Sequence, residues 1–97
     1  MNVINNTDRN RFEVTIDGKR AVAEYILSKS RIIFTHTEVP PALEGQGIGA
    51  ALAQAGLDYA RAHSLRVMPL CPFIAAFIEN NPVYKDLLMP GFKLKTK

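Results

Sequence analysis

The chain has 97 residues, room for one domain with one core and none for a separate substrate domain. Twelve basic against nine acidic side chains leave a formal charge of +3, which suits an anionic ligand and falls short of the dense basic stripe of a dedicated nucleic-acid binder. The single cysteine, Cys71, excludes an internal disulfide, and the apolar stretches are broken by charge, Pro or Gly well before the roughly twenty residues of a membrane-spanning helix, so a cytoplasmic protein is expected.

Met1 to Asn10 is rich in Asn, Asp and Thr and reads as a flexible lead-in over residues 1–10. From Arg11 the pattern changes: Phe12, Val14 and Ile16 alternate with polar residues, and Asp17-Gly18 then supplies a two-residue hairpin turn, since both positions tolerate positive φ. The returning strand, Lys19 to Ser28, carries Ala21, Ala23, Tyr25 and Leu27 on one face and Val22, Glu24 and Ile26 on the other. A third strand spans Arg31 to Val39, rich in β-branched and aromatic residues, and Pro40-Pro41 ends it because neither can donate to a ladder.

The apolar period becomes helical from Gly47 to about Ser64, with Ile48, Ala51, Leu52, Ala55 and Tyr59 on one stripe. Arg66 to Cys71 reads as a fourth strand, Pro72 starts a short helix to about Asn80, and a last one covers Pro82 to Leu88. The expected fold is α+β: an antiparallel three-strand meander, a crossover helix to a fourth strand and one or two short C-terminal helices. One domain is expected over residues 11–92, followed by a basic tail over residues 93–97.

Between the third strand and the long helix lies Glu44-Gly45-Gln46-Gly47-Ile48-Gly49. Three alternate glycines before a helix let the backbone approach a ligand and aim unpaired amides at one point, where the helix N-terminus also favours negative charge. A phosphate or pyrophosphate is the natural occupant, although such a loop also serves merely to turn a chain. Gly45-x-Gly47-x-x-Ala50 satisfies the dinucleotide fingerprint in form, but Pro40 to Leu43 separate it from the strand and no acid stands in Arg66 to Leu70 for a ribose. A P-loop fails as well, since Ala50-Ala51 follows Gly49 where Lys and Ser or Thr are required.

The segment from Glu38-Val39 through Glu44-Gly45-Gln46-Gly47-Ile48-Gly49 to Leu52 resembles the acetyl-coenzyme A motif of the GNAT N-acetyltransferase superfamily. His36-Thr37-Glu38-Val39 and Pro69-Leu70-Cys71-Pro72-Phe73 resemble its short single-domain branch, often called YjdJ-like. The resemblance, over about Phe12 to Leu88, implies an acetyl-CoA-dependent N-acyltransferase acting on an unidentified amine. It places the cofactor pyrophosphate on the amides of Gly45, Gln46, Gly47, Ile48, Gly49 and Ala50, with the pantetheine arm alongside the strand that ends at Val39. Glu44 stands where the family usually has Arg, Lys or Gln, and a carboxylate there keeps a second possibility open: a coenzyme A-binding module with little or no catalysis. A third, a small basic adaptor for RNA or protein, rests only on the charge and the tail.

Acyl transfer to an amine requires a route for a proton and stabilisation of an oxyanion. His36 and Glu38, two apart, are expected to share a face with Ile32 and Phe34, near the glycine turn. Either is read as a proton acceptor or as an ordinary strand residue, the imidazole being the side chain that exchanges protons most readily near neutral pH. Cys71 ends a strand at the head of a helix and is read as a nucleophile or as a buried apolar filler. Tyr84 resembles the superfamily position that protonates the departing thiolate, and equally suits the anchor of a short amphipathic helix. No metal ligand set, nucleic acid or membrane is expected, and a monomer or a homodimer is.

Overall fold

The computed structural model describes residues 1–94, so most of the expected basic tail over residues 93–97 lies outside the described residues. Five strands form one sheet in chain order: β1 (Ile4–Asn6), β2 (Arg11–Ile16), β3 (Lys19–Ser28), β4 (Arg31–Glu38) and β5 (Arg66–Pro69). The first three pairings are antiparallel and the last, β4 with β5, is parallel. Helix α1 (Ile48–Ala62) makes the crossover; α2 (Pro72–Asn80) follows β5, and a 3-10 helix covers Pro82–Leu87. The meander, the crossover and the proline-initiated second helix thus stand as the sequence pattern implies.

The lead-in is a partial exception. Ile4–Asn6 pairs with Arg11–Glu13 as an edge strand, where a frayed segment is expected over residues 1–10. Its polar side chains hold it in place: the Tyr25 hydroxyl donates to Asn5 Oδ1 at 2.7 Å, and Asn6 Nδ2 reaches Glu13 Oε1 at 3.4 Å. An edge strand needs little apolar surface when side-chain hydrogen bonds supply the attachment.

Alternation decides which face of the sheet is buried. Phe12 and Val14, Ala21, Ala23 and Tyr25, Ile32 and Phe34, and Val67 all face one way and join a single core with Ile48, Leu52, Ala53 and Leu57 of α1 and Ile74 and Ile78 of α2. Each large side chain buried there stabilises the fold by about 1.5–3 kcal/mol before chain entropy is subtracted. The buried stripe of α1 is rotated from the expected one, because Gly56 faces the sheet: a Cβ there would stand 2.8 Å from the Phe34 ring. The helix therefore lies close over β4, which Ala51, Ala55 and Tyr59 flank as half-buried residues.

The pairing of β3 with β4 contains one irregularity that positions the site. Tyr25 pairs with Phe34, while the preceding residue, Glu24, pairs with His36, so Thr35 is an extra residue on β4. Its hydroxyl lies 3.4 Å from the Glu24 carbonyl, across the bulge. A bulge bends its strand and reverses the alternation beyond it. Thr37, opposite the fully buried Ala23, now faces the core side, and His36 and Glu38 face away from it. The expectation that His36 and Glu38 share a face with Ile32 and Phe34 is thereby corrected.

Candidate functional site

Pairing between β4 and β5 stops at Phe34 and Pro69, one residue before the bulge. At that point the Phe34 carbonyl accepts from the amides of both Leu70 and Cys71, each at 3.0 Å. Beyond it the two strands part. Glu38, Val39 and the residues leading into α1 continue on one side, while Pro72 turns the other side into α2. A cleft of about 550 Å³ occupies the divergence, lined by Thr37, Glu38 and Val39, by the turn from Leu43 to Ala50, and by Phe73.

The glycines of the turn act for different reasons. Gly45 and Gly47 have φ of +82° and +75°, a conformation costly for residues with a Cβ, and nothing stands within 4 Å of the position a Cβ would take. The space above them is open to a ligand. Gly49 has ordinary helical backbone, but a Cβ on it would come within 2.7 Å of the Phe73 ring, so its absence lets that ring close one wall of the cleft. Gly47 caps α1 without a side-chain hydrogen bond, and the first helical bond through it runs from the Ala51 amide to the Gly47 carbonyl at 3.0 Å. The amides of Ile48, Gly49 and Ala50 precede that bond and have no acceptor one turn back within the helix. These amides, at the positive end of the helix, fit an anion such as a diphosphate in donor type.

Three of the anticipated site residues flank the cleft differently from one another. Val39 is half-buried in its wall. Glu38 lines its rim and is hydrogen-bonded to His36, with His36 Nε2 3.3 Å from Glu38 Oε1 and both side chains more than half exposed. Cys71 is 3% exposed, and its thiol donates to Thr37 Oγ1 at 3.1 Å. That link joins the parted strands just behind the cleft. Glu44, exposed and extended at the entry to the turn, also lines the cleft, which brings an acidic residue to the same end as the first amides of α1.

Tyr84 is elsewhere. Its hydroxyl donates to Asp58 Oδ1 at 3.0 Å, ten residues or about 15 Å along α1 from Ile48. Burial and that hydrogen bond to a carboxylate raise its pKa, keeping the phenol protonated, but it does not line the cleft. It belongs to a brace in which Arg61 forms two 3.0 Å bonds to Asp86 and one of 2.9 Å to the Val83 carbonyl, while Arg66 bonds the Asp86 carbonyl at 2.8 Å. A larger hollow of about 750 Å³ lies between the back of α2 and residues 92–94, with mainly apolar walls that include Leu70, Ala76 and Phe92. It lacks the convergent amides of the smaller cleft, and the smaller cleft is the site with donors for an anion.

Sequence reasoning missed Thr37 and Phe73 as site residues. Thr37 was hidden by the bulge, since regular alternation from Phe34 turns it away from the core. Phe73 carried a readable signal, an aromatic one residue past the start of a helix and 44% exposed in the fold.

Known proteins resemble this chain in sequence and in fold. Residues 11–87 match the family described as GCN5-related N-acetyl-transferase. Protein NATD1 of Bos taurus is 39% identical over 87 residues, covering 84% of this chain and 77% of that protein, and Protein NATD1 of Homo sapiens is 37% identical over the same shares. A solution structure of a GCN5-like candidate N-acetyltransferase from Staphylococcus aureus superposes with a TM-score of 0.72 at 26% identity, covering 95% of this chain and 90% of that one. The match spans β2 through the last 3-10 helix, cleft included, and the chain belongs to the GCN5-related N-acetyltransferase family.

Proposed function

We propose that the chain binds acetyl-CoA in the cleft between β4 and α1 and transfers the acetyl group to an amine. The observation that carries this reading is the turn at the head of α1: positive-φ Gly45 and Gly47, open space above them, and first helical amides that no side chain caps. The amides of Gly45 to Ala50 would hold the pyrophosphate, and the edge of β4 at Val39 would take the amide groups of the pantetheine arm as an added strand does. Bound there, the cofactor supplies an activated acyl group as a thioester. In the transfer a carbon–nitrogen bond forms, the carbon–sulfur bond breaks, the amine gives up one proton and the departing thiolate gains one.

Glu38, on the rim of the cleft and hydrogen-bonded to His36, is the base this arrangement offers for the amine proton. Tyr84, bound to Asp58 on the far part of α1, enters no step. Glu44 opposes the phosphates and is expected to weaken binding, which is the observation favouring a poorly catalytic coenzyme A-binding module as the second reading.

Thermal melting with acetyl-CoA tests the binding. At a hundredfold excess over the dissociation constant the ligand should stabilise the fold by about 2.7 kcal/mol, a shift of many degrees for a domain of this size. No shift at millimolar ligand would falsify both readings. Release of free thiol with a panel of amines then separates the enzyme from the binding module.

A further inference from the structure

Resting on the acetyl-CoA reading, we propose that the Thr37 hydroxyl is the hydrogen-bond donor for the thioester carbonyl oxygen, and that Cys71 is its positioning residue, not an acyl-accepting nucleophile.

The polarity of the cleft gives the first step. Its phosphate-binding end is the turn from Gly45 to Ala50, so the opposite end, where β4 runs back toward the bulge, receives the reactive end of an extended cofactor. Thr37 is the innermost cleft residue on β4, and it faces the core side because the bulge takes up Thr35 as an extra residue before it. A hydroxyl has one proton to give and two lone pairs to receive with. Thr37 Oγ1 already receives the Cys71 S–H at 3.1 Å, which fixes the oxygen and leaves its own proton free for another acceptor. Among the described residues the half-buried threonine hydroxyl donates no hydrogen bond of its own. A thioester oxygen that gains negative charge during attack is the acceptor such a donor serves best, because the bond strengthens as the charge develops.

The surroundings of Cys71 point the same way. The residue is 3% exposed, its amide is bonded to Phe34 and its carbonyl to Ala75 at the head of α2. A nucleophile must reach the acyl carbon, whereas this thiol is packed behind Thr37 with its proton committed to Oγ1. Held at three points, it is suited to orienting the threonine.

The experiment measures binding of CoA and of acetyl-CoA by calorimetry, and thioester turnover, for the parent and four variants. Thr37→Val, of nearly the same shape, is expected to leave CoA affinity within twofold while lowering acetyl-CoA affinity about tenfold and kcat/KM about a hundredfold. Thr37→Ser should restore both to within about threefold of the parent, because it restores the donor. Cys71→Ser, which keeps a proton donor to Thr37 but is a much poorer acyl acceptor, should retain at least about a third of parental turnover, and Cys71→Ala should lower it about tenfold. Unchanged acetyl-CoA binding and turnover in Thr37→Val overturn the proposal. So does an acetyl adduct on Cys71 by intact mass together with loss of turnover in Cys71→Ser. If the parent binds neither CoA nor acetyl-CoA, the cofactor reading itself fails and takes this inference with it, an outcome distinct from a parent that binds both and a Thr37→Val variant that behaves identically.

Discussion

The two ends of α1 are built on opposite plans. At its C-terminal half, side chains tie neighbouring elements together: Tyr84 on Asp58 and Arg61 on Asp86 and Val83 fasten the last 3-10 helix to the helix flank, and Arg66 of β5 bonds the Asp86 carbonyl. At its N-terminus nothing comparable happens. Gly47 offers no capping side chain, Gln46 reaches back only to the Ala42 carbonyl at 3.5 Å, and three glycines leave the amides uncovered. A stability-driven sequence would place Ser, Thr, Asp or Asn at that cap, worth about 1 kcal/mol. The missing cap leaves the first amides of α1 unpaired, and on the acetyl-CoA proposal it separates the residues that hold the molecule together from those that would hold the ligand.

Substitutions at the two ends should therefore part stability from binding, and the largest effect belongs between them. Gly56→Leu drives a side chain into the Phe34 ring, where even a Cβ would sit at 2.8 Å, and should cost about 3 kcal/mol in a thermal or urea melt, lowering the response to ligand only through unfolding. Gly49→Val presses on Phe73, a ring exposed enough to swing outward, so the melt should change by under about 1 kcal/mol while acetyl-CoA affinity falls about tenfold or more. A variant that unfolds but binds normally when refolded would contradict the assignment of that end to the ligand.

Arg61→Ala should do the reverse, lowering the melting temperature while leaving the ligand-induced shift as in the parent. Its partner adds a pH signature. Hydrogen bonds from Arg61 hold the Asp86 carboxyl below its ordinary value of 3.8. The stabilisation is complete above that value and is lost as pH falls through the lower folded-state pKa. Below pH 3.8 the parent should lose stability more steeply than Asp86→Asn, and parallel acid curves would remove the brace from the comparison. The smallest effect is expected at the entry to the turn: Glu44→Gln takes a carboxylate from beside the phosphates and should raise CoA affinity roughly threefold, with the gain fading at high salt.

Much of this arrangement is legible before any coordinates. Asp17-Gly18 announces the hairpin, Pro40-Pro41 the end of β4, the glycines the start of α1 and Pro72 the start of α2, because each is a local backbone requirement that few other residues meet. What escapes local reading depends on pairing. The strand Ile4–Asn6 has almost no apolar pattern and is held by Asn5 receiving the Tyr25 hydroxyl, a contact across twenty positions. Tyr84 resembles a site residue in sequence, yet docking of the final 3-10 helix brings it to Asp58. The bulge at Thr35 has no signature in a run of threonines and β-branched residues, and by reversing the alternation it turns the His36 expectation into the Thr37 observation.

That bulge also separates chain length from chain pattern. Removing Thr35 would make β4 regular and leave Phe34 and Thr37 facing the core and His36 and Glu38 facing away, as they do now. Every inward and outward residue would be kept. The strand would nevertheless lose its bend and run on beside β5, closing the divergence at Leu70 and Cys71. Deleting Thr35 should accordingly leave the melting temperature near the parent's and abolish the acetyl-CoA-induced shift. The opening between β4 and β5 would then rest on a single peptide unit.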